Sequence, residues 1–355
     1  MASFFISSSS SYDDIYKDVN DIKCDTIFND LLNTCDSDSS KIENDLLIYR
    51  CEKADIPIII TAPHGGYHSF GNQSNRLLER DTSVLGVIIK KDLNTLELSA
   101  FIDQYIRMKI NRYPHYIGAL FHRKYIDANR NDQRLEDHAY NPTDLQAMRI
   151  YRNYHDKIDE CISHMNNQNM LLLDIHGFRD PMYSNSIVIG TRKGTSCDLK
   201  NVNERWVGFC FHLRHIMGVG NSNDSVKIFD DISKYSGAST LELHGRTCKP
   251  NVDAIQLEFA FELRLSQYRN RIGELVAEAI IRTLYPMKFF TTVISGMIHW
   301  NDEVKNMVDE KLSRIGLVKP ADFIEKQVNV LLGNGGFKRF RGTTLDIIKN
   351  VYQEN

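Results

Sequence analysis

The sequence predicts an α/β protein: a mixed, mainly parallel sheet with helices on both faces, followed by a mainly helical C-terminal extension. Short runs rich in β-branched and apolar residues recur between residues 46 and 261, and stretches with helical spacing lie between them. Runs such as Ile58-Ile59-Ile60 and Leu171-Leu172-Leu173 are apolar at every position rather than at alternate ones. That is the pattern of strands covered on both sides, as in parallel sheets with helical crossovers.

Taken in order, residues 1–44 are rich in Ser, Asp and Asn with scattered apolar positions (Ile15, Ile22, Ile27, Leu31, Leu32) and read as an N-terminal extension holding a short helix or two. Strands are predicted at 46–49, 57–61, 116–120, 170–175, 186–189 and 254–261. A helix is predicted over 142–165, with Asn141 as cap, Pro142 in the first turn, and Leu145, Met148, His155, Ile158 and Ile162 at helical spacing. Another covers 268–284, with Leu275, Val276, Ile280 and Leu284 facing the core and Pro286 ending it. Residues 45–286 form the predicted domain, and 287–355 a C-terminal extension with helices at 301–314 and 320–332. There is no internal repeat.

Composition narrows the class without giving the chemistry. A chain of 355 residues, 42% hydrophobic and 25% charged with 8 prolines, is long enough to bury a core of ordinary size. With 43 Lys plus Arg against 46 Asp plus Glu, the net charge of -3 supplies no basic field, so nucleic acid is not expected as a partner. The 7 cysteines are odd in number and contain no CxxC pair, which predicts reduced thiols and a reducing compartment. The N-terminus lacks the pattern of a signal peptide, and the apolar runs at 56–60 and 170–173 fall far short of the roughly 18 residues of a membrane span. A cytoplasmic protein is expected, with no membrane partner.

Four islands carry the candidate chemistry. Two follow strand candidates: Thr61-Ala62-Pro63-His64-Gly65-Gly66 and Asp174-Ile175-His176-Gly177. In open α/β sheets ligands gather beyond the carboxyl ends of strands, so His64 and His176 can converge on one metal although 112 residues apart. The glycines beside them are expected to leave room for metal and substrate. Imidazole suits zinc, and a catalytic site needs a third protein ligand, for which Glu79 and Asp81 are the nearest acids. Asp174, two positions before His176 on a strand, points to the same side and can steady the imidazole.

The third island, His122 to Arg130, offers Arg123, Asn129 and Arg130, groups that grip anions and oxyanions. The fourth, Ala254 to Phe261, sets Glu258 in an apolar strand, where burial raises a carboxyl pKa as a general base requires.

Together these islands resemble the N-formylglutamate amidohydrolase family, which shares its fold with zinc carboxypeptidases and aspartoacylases. Pro63-His64-Gly65-Gly66 is similar to the first zinc-ligand loop, Glu79-Arg80-Asp81 to the acidic helix start, and Arg123 with Asp127, Asn129 and Arg130 to the arginine and D-x-N-R segment. Asp174-Ile175-His176 resembles the second ligand motif, Ile187 to Cys197 a further segment, and Gln256-Leu257-Glu258 the strand bearing the catalytic glutamate. The resemblance covers roughly 45–285. Where carboxypeptidases and aspartoacylases carry a glutamate three residues after the first histidine, this chain has Tyr67, and Ala128 replaces the family's usual leucine.

The resemblance implies a zinc-dependent amidohydrolase. His64, Asp81 and His176 would hold Zn2+, with Glu79 as the alternative third ligand; Glu258 would take a proton from water; and Arg123 would steady the oxyanion. Asn129 and Arg130 would anchor the carboxylate of an N-acyl amino acid or peptide-like substrate. The alternatives are a carboxypeptidase acting on peptide ends and an inactive binding protein that keeps the fold. Simpler readings stand beside each role. Arg123 and Arg130 can form structural ion pairs with Asp127, Asp132 or Glu136, Asp127 reads as structural, and Glu258 can be a buried partner of Arg264. His68, His115, His122, His155, His212, His215 and His244 read as surface or hydrogen-bonded core residues, with His244 able to line the pocket.

Overall fold

The structure is a computed structural model and describes residues 41–43, 46–71, 90–165, 168–198, 205–218 and 226–284. Expectations that fall on 1–40, on Glu79 and Asp81, and on 287–355 lie outside the described residues.

Eight strands make one mixed sheet in the order β1-β2-β4-β3-β5-β8-β6-β7. They are β1 (Lys41–Glu43), β2 (Leu47–Arg50), β3 (Ile58–Ala62), β4 (His115–Ala119), β5 (Met170–Phe178), β6 (Ser186–Gly190), β7 (Lys227–Asp230) and β8 (Val252–Ala260). The central four, β4-β3-β5-β8, are parallel, while β2 on one side and β6 on the other run antiparallel to them. Each of the six predicted strands is present, displaced by two residues or fewer at its start. β1 and β7 are additional: each is only three or four residues long, and β7 is exposed or half-buried, so neither carries an apolar run that sequence reasoning could seize. β1 pairs with β2 from within the stretch that read as an extension.

Alternate residues of each central strand feed two separate cores. Ile58, Ile60, Leu171, Leu173, Ile175, Ile255 and Leu257 pack against α1 (Thr95–Ile110), α3 (Arg205–Gly218) and α5 (Ser266–Leu284). Ile59, Ile117, Leu172, Val252 and Ala254 pack against α2 (Leu145–His164), with Leu241 of α4 (Ser239–His244) beside them. Burying an apolar side chain on each face stabilises by about 1.5–3 kcal/mol per residue, which is why these strands read as unbroken apolar runs.

The helix of 142–165 begins later than expected. Asn141 Oδ1 accepts from the Thr143 amide at 3.0 Å and its hydroxyl at 2.8 Å, closing a turn before the helix. Asp144 is the cap instead, accepting from the Ala147 amide at 2.9 Å. The buried face is Ala147, Tyr151, Tyr154, Ile158 and Cys161, and Leu145 is exposed.

The cysteine expectation is corrected. Cys51, just after β2, and Cys161, on α2, form a disulfide across 110 residues of sequence, their Cα atoms 4.9 Å apart. A pairing at that separation is set by the docking of α2 on the sheet, and local spacing holds no trace of it. Cys197, Cys210 and Cys248 are free among the described residues. No described helix is long and apolar enough to cross a membrane.

Candidate metal centre

Because β3, β4, β5 and β8 run parallel, their carboxyl ends lie along one edge of the sheet and bring three of the four islands together with the loop after β4. Thr61, Asp174 and Gln256 are register partners in one row across β3, β5 and β8. One step further, His176 and Glu258 are direct partners on neighbouring strands. His176 lies inside β5, which continues to Phe178, rather than in the loop after it. His64 leaves β3 two residues beyond its end.

The two imidazoles are buried edge to face, their centroids 4.7 Å apart. Their Nδ1 atoms point at one oxygen: Asp92 Oδ2 is 3.3 Å from His64 Nδ1 and 3.4 Å from His176 Nδ1. Their Nε2 atoms are held from behind, His64 by Asp127 Oδ1 at 2.6 Å and His176 by Asp174 Oδ2 at 2.9 Å. Thr61 Oγ1 donates to the other Asp174 oxygen at 2.6 Å. Each ring thus presents Nδ1 toward the third carboxylate while its far nitrogen is oriented by an acid, the arrangement that fixes the tautomer of metal-bound histidine.

Asp92 is the residue that sequence reasoning missed. The amide of Asp92 donates to the His64 carbonyl at 3.0 Å, and its own carbonyl accepts from the Thr95 hydroxyl at 2.8 Å at the start of α1. At Asp92 the chain is held to the first histidine and turns into α1. The resemblance drew attention to Glu79 and Asp81, outside the described residues; an acid three residues before Thr95, opening a helix, was the available signal.

Arg123 lines the cleft and is tied to two acids. It is buried, donating through Nε to Asp127 Oδ2 at 2.9 Å and pairing through Nη1 with Asp92 Oδ1 at 3.1 Å. It fixes both carboxylates, and the pair with Asp127 is among those the simpler reading offered. Burial by itself would raise the Asp92 carboxyl, but the Arg123 guanidinium, then the imidazoles, hold it well below the usual carboxylate range.

Asn129 also lines the cleft: its Nδ2 lies 3.2 Å from His176 Nε2 and 3.1 Å from Gln256 Oε1, and its Oδ1 accepts from the Thr240 amide at 2.9 Å. Arg130 is half-buried, lines the cleft, and donates to the Asn129 carbonyl at 3.0 Å.

Glu258 has one oxygen engaged, accepting from Gln256 Nε2 at 2.9 Å, while Oε2 is buried with no hydrogen-bond partner. Burial pushes its carboxyl up to about 7. The proposed partnership with Arg264 is replaced by another: Arg264 donates to the carbonyls of Phe259 and Phe178 at 3.1 Å each, and to that of Leu93.

The glycines do not leave space for ligand. A Cβ on Gly177 would lie 2.2 Å from the Arg264 guanidinium carbon, and one on Gly65 2.4 Å from Leu96 Cβ, so these positions admit the protein's own groups. His244 does not line the cleft either; it is buried against α2, with Nδ1 3.1 Å from Asp159 and Nε2 2.9 Å from His155.

A metal ion fits these residues. The ligand atoms of His64, Asp92 and His176 all lie within 4.8 Å of one another. Asp92, Asp127, Asp174 and Glu258 are buried around them, and Arg123 pairs with the first two. The same field acts on His176: burial disfavours its charged form, yet Asp174 and Asp92 outweigh it and raise the imidazole to about 10.

Above the centre opens a cleft of about 350 Å³ whose lining includes Lys90, Lys91, Arg130, Arg179 and Lys234. Among solved structures the chain is similar to N-formylglutamate amidohydrolase from Ralstonia eutropha JMP134, 14% identical, covering 68% of this chain and 97% of that one with a TM-score of 0.47. It is also similar to a gene product of Agrobacterium tumefaciens, 12% identical over 68% and 96% of the two chains with a TM-score of 0.46. A bacteriophage poly-gamma-glutamate hydrolase is 8% identical over 70% and 93%, with a TM-score of 0.36. No protein-family model matches the sequence, and no curated protein does.

Proposed function

We propose that this chain is a zinc-dependent hydrolase that cleaves an amide bond in a substrate bearing a carboxylate. The observation that carries the reading is the convergence of His64 Nδ1 and His176 Nδ1 on Asp92 Oδ2, with Asp127 and Asp174 behind the two rings. His64, Asp92 and His176 would hold the metal, so the third ligand is Asp92 in place of Asp81. Bound zinc supplies a Lewis acid that polarises the amide carbonyl and acidifies water.

The remaining chemistry belongs to the side chains. Glu258 accepts a proton from the attacking water on its unpartnered Oε2, and the Gln256 amide keeps the carboxylate turned toward the centre. Arg123 pins Asp92 and Asp127, which preorganises the ligand set. Arg130, a half-buried guanidinium of the cleft that donates to the Asn129 carbonyl and not to an acid, grips the substrate carboxylate, and Lys90, Lys91 and Lys234 favour acidic substrates.

A longer acidic peptide end is the second reading. It is favoured by the length of an adjoining cavity of about 490 Å³ that shares Arg130, Ser233, Ser236, Gly237 and Ala238 with the first and adds Lys193, with Arg134 and Arg192 paired to Glu242 in its wall.

Zinc content and turnover measured together test the reading. Wild-type protein prepared without chelator should hold zinc at this centre and hydrolyse N-acyl amino acids, and Asp92→Ala and His176→Ala should lose both. Zinc retained in both variants would overturn the ligand set; zinc bound with no turnover on acyl amino acids or acidic peptides would leave the inactive binding protein.

A further inference from the structure

At the opposite end of the sheet from the cleft, three buried groups meet that the proposed hydrolase chemistry does not use. His115 opens β4, Cys51 follows the end of antiparallel β2, and Cys161 lies on the face of α2 that covers them. All three are nearly or fully buried, and their ligand atoms lie within 4.8 Å of one another.

The imidazole is the anomaly. His115 is completely buried, and neither Nδ1 nor Nε2 has a hydrogen-bond partner, whereas buried polar groups in folded proteins are almost always paired. The expectation that His115 is a hydrogen-bonded core residue fails here. What stands next to its orphaned nitrogens is a pair of sulfurs, and a thiolate pair with one imidazole is a soft donor set suited to zinc.

We propose that Cys51, Cys161 and His115 form a second, redox-gated zinc site, open to the metal when the cysteine pair is reduced and closed when it is a disulfide. His164, in the last turn of α2 with its ring 5.7 Å from that of His115, stands on the exposed side, outside the three groups that already meet, and would complete the ligand set by turning inward. In the oxidised state Cys51 and Cys161 are bonded to each other and His115 is left unmatched, as seen.

Opening balances as follows. A small dithiol reductant gives two electrons and two protons to the sulfur–sulfur bond, yielding two thiols, and leaves as its own cyclic disulfide. Zinc then displaces the two thiol protons to solvent as the thiolates bind. Either state ties β2 to α2, so the metal takes over the clamp that the disulfide gives up.

Cobalt(II) distinguishes this site from the cleft, because thiolate ligation gives a near-ultraviolet charge-transfer band and a centre of nitrogen and oxygen donors gives none. The full chain, reduced with a dithiol, freed of reductant and titrated with cobalt(II), should develop the band. It should be absent from oxidised protein and from reduced Cys51→Ser/Cys161→Ser protein, and weakened in His115→Leu, while a cleft variant such as His176→Ala keeps it. Zinc should bleach it stoichiometrically. A reduced, folded wild type without the band overturns the proposal, as does a band that survives in the double serine variant. So does loss of native circular dichroism on reduction, in zinc-containing buffer, since the pair would then be a staple that cannot open. None of these outcomes bears on zinc in the cleft.

Discussion

Asp127→Asn isolates what orients the first histidine. Asp127 is fully buried; one of its oxygens meets His64 Nε2 at 2.6 Å and the other takes Arg123 Nε at 2.9 Å. The amide keeps the shape but has one acceptor where two are needed. If its oxygen stays on His64, its NH2 confronts the Arg123 N–H. If it flips, the NH2 faces Nε2, and the imidazole proton moves to Nδ1, the atom that should ligate. A charge-assisted hydrogen bond is worth about 1.5–3 kcal/mol, so zinc affinity should fall by roughly 10–100-fold, in line with the loss typical when an acid behind a metal-bound histidine is removed. Arg123 keeps Asp92 at 3.1 Å, so the accompanying loss of stability should be at the low end for a broken buried pair, about 3 kcal/mol. Competition with a chromophoric chelator gives the zinc Kd, and urea melts of apo protein give the stability. A zinc Kd unchanged within about twofold, with the apo protein destabilised as expected, would refute the claim that Asp127 acts through His64 Nε2.

Three further outcomes follow from the same geometry. Glu258→Gln should retain zinc and melt like the wild type, because Arg264 bonds to carbonyls and not to Glu258, while turnover falls by about 10²–10⁴-fold; lost stability with turnover per folded molecule preserved would remove Glu258 from the chemistry. Arg130→Lys should raise KM by roughly 10–100-fold on a substrate with a free carboxylate, as a bidentate fork is replaced by a point charge, and equal KM values for acid and amide forms of the substrate would dismiss that contact. His155 and His212 are buried and lowered from 6.5 to about 3. Below pH about 6.5 the unfolded chain protonates them and the folded chain does not, so stability should fall with falling pH by about 1.4 kcal/mol per unit for each, and urea midpoints measured from pH 7 to pH 4 for wild type and His212→Gln give each slope.

How legible each part was depends on whether its cause is local. β3, β5 and β8 announce themselves because burial on two faces demands unbroken apolar runs, and His64, His176 and Glu258 stand out as polar residues at the ends of those runs or inside them. Asp92 has no such frame; a backbone hydrogen bond to His64 and the start of α1 bring it in, and both are tertiary facts. Arg123 and Asn129 were found by type, but their bonds to Asp92, Asp127, Gln256 and Thr240 were not legible, since residue type does not name a side chain's tertiary partners. The Cys51–Cys161 pairing, like the unmatched His115 beside it, exists only once α2 lies on the sheet.

Arg264 also decides which way the cleft can give. One guanidinium gathers the carbonyls of Leu93, Phe178 and Phe259, and so bolts together the chain entering α1 and the ends of β5 and β8. That side of the mouth cannot widen without stranding three acceptors. The facing wall, Ser233 to Ala238, is a short turn that includes Gly237 at φ +108 and carries Lys234 outward. Any widening of the mouth therefore falls on that wall, where it would cost the bonds that the Ser236 and Ala238 carbonyls accept from Arg192.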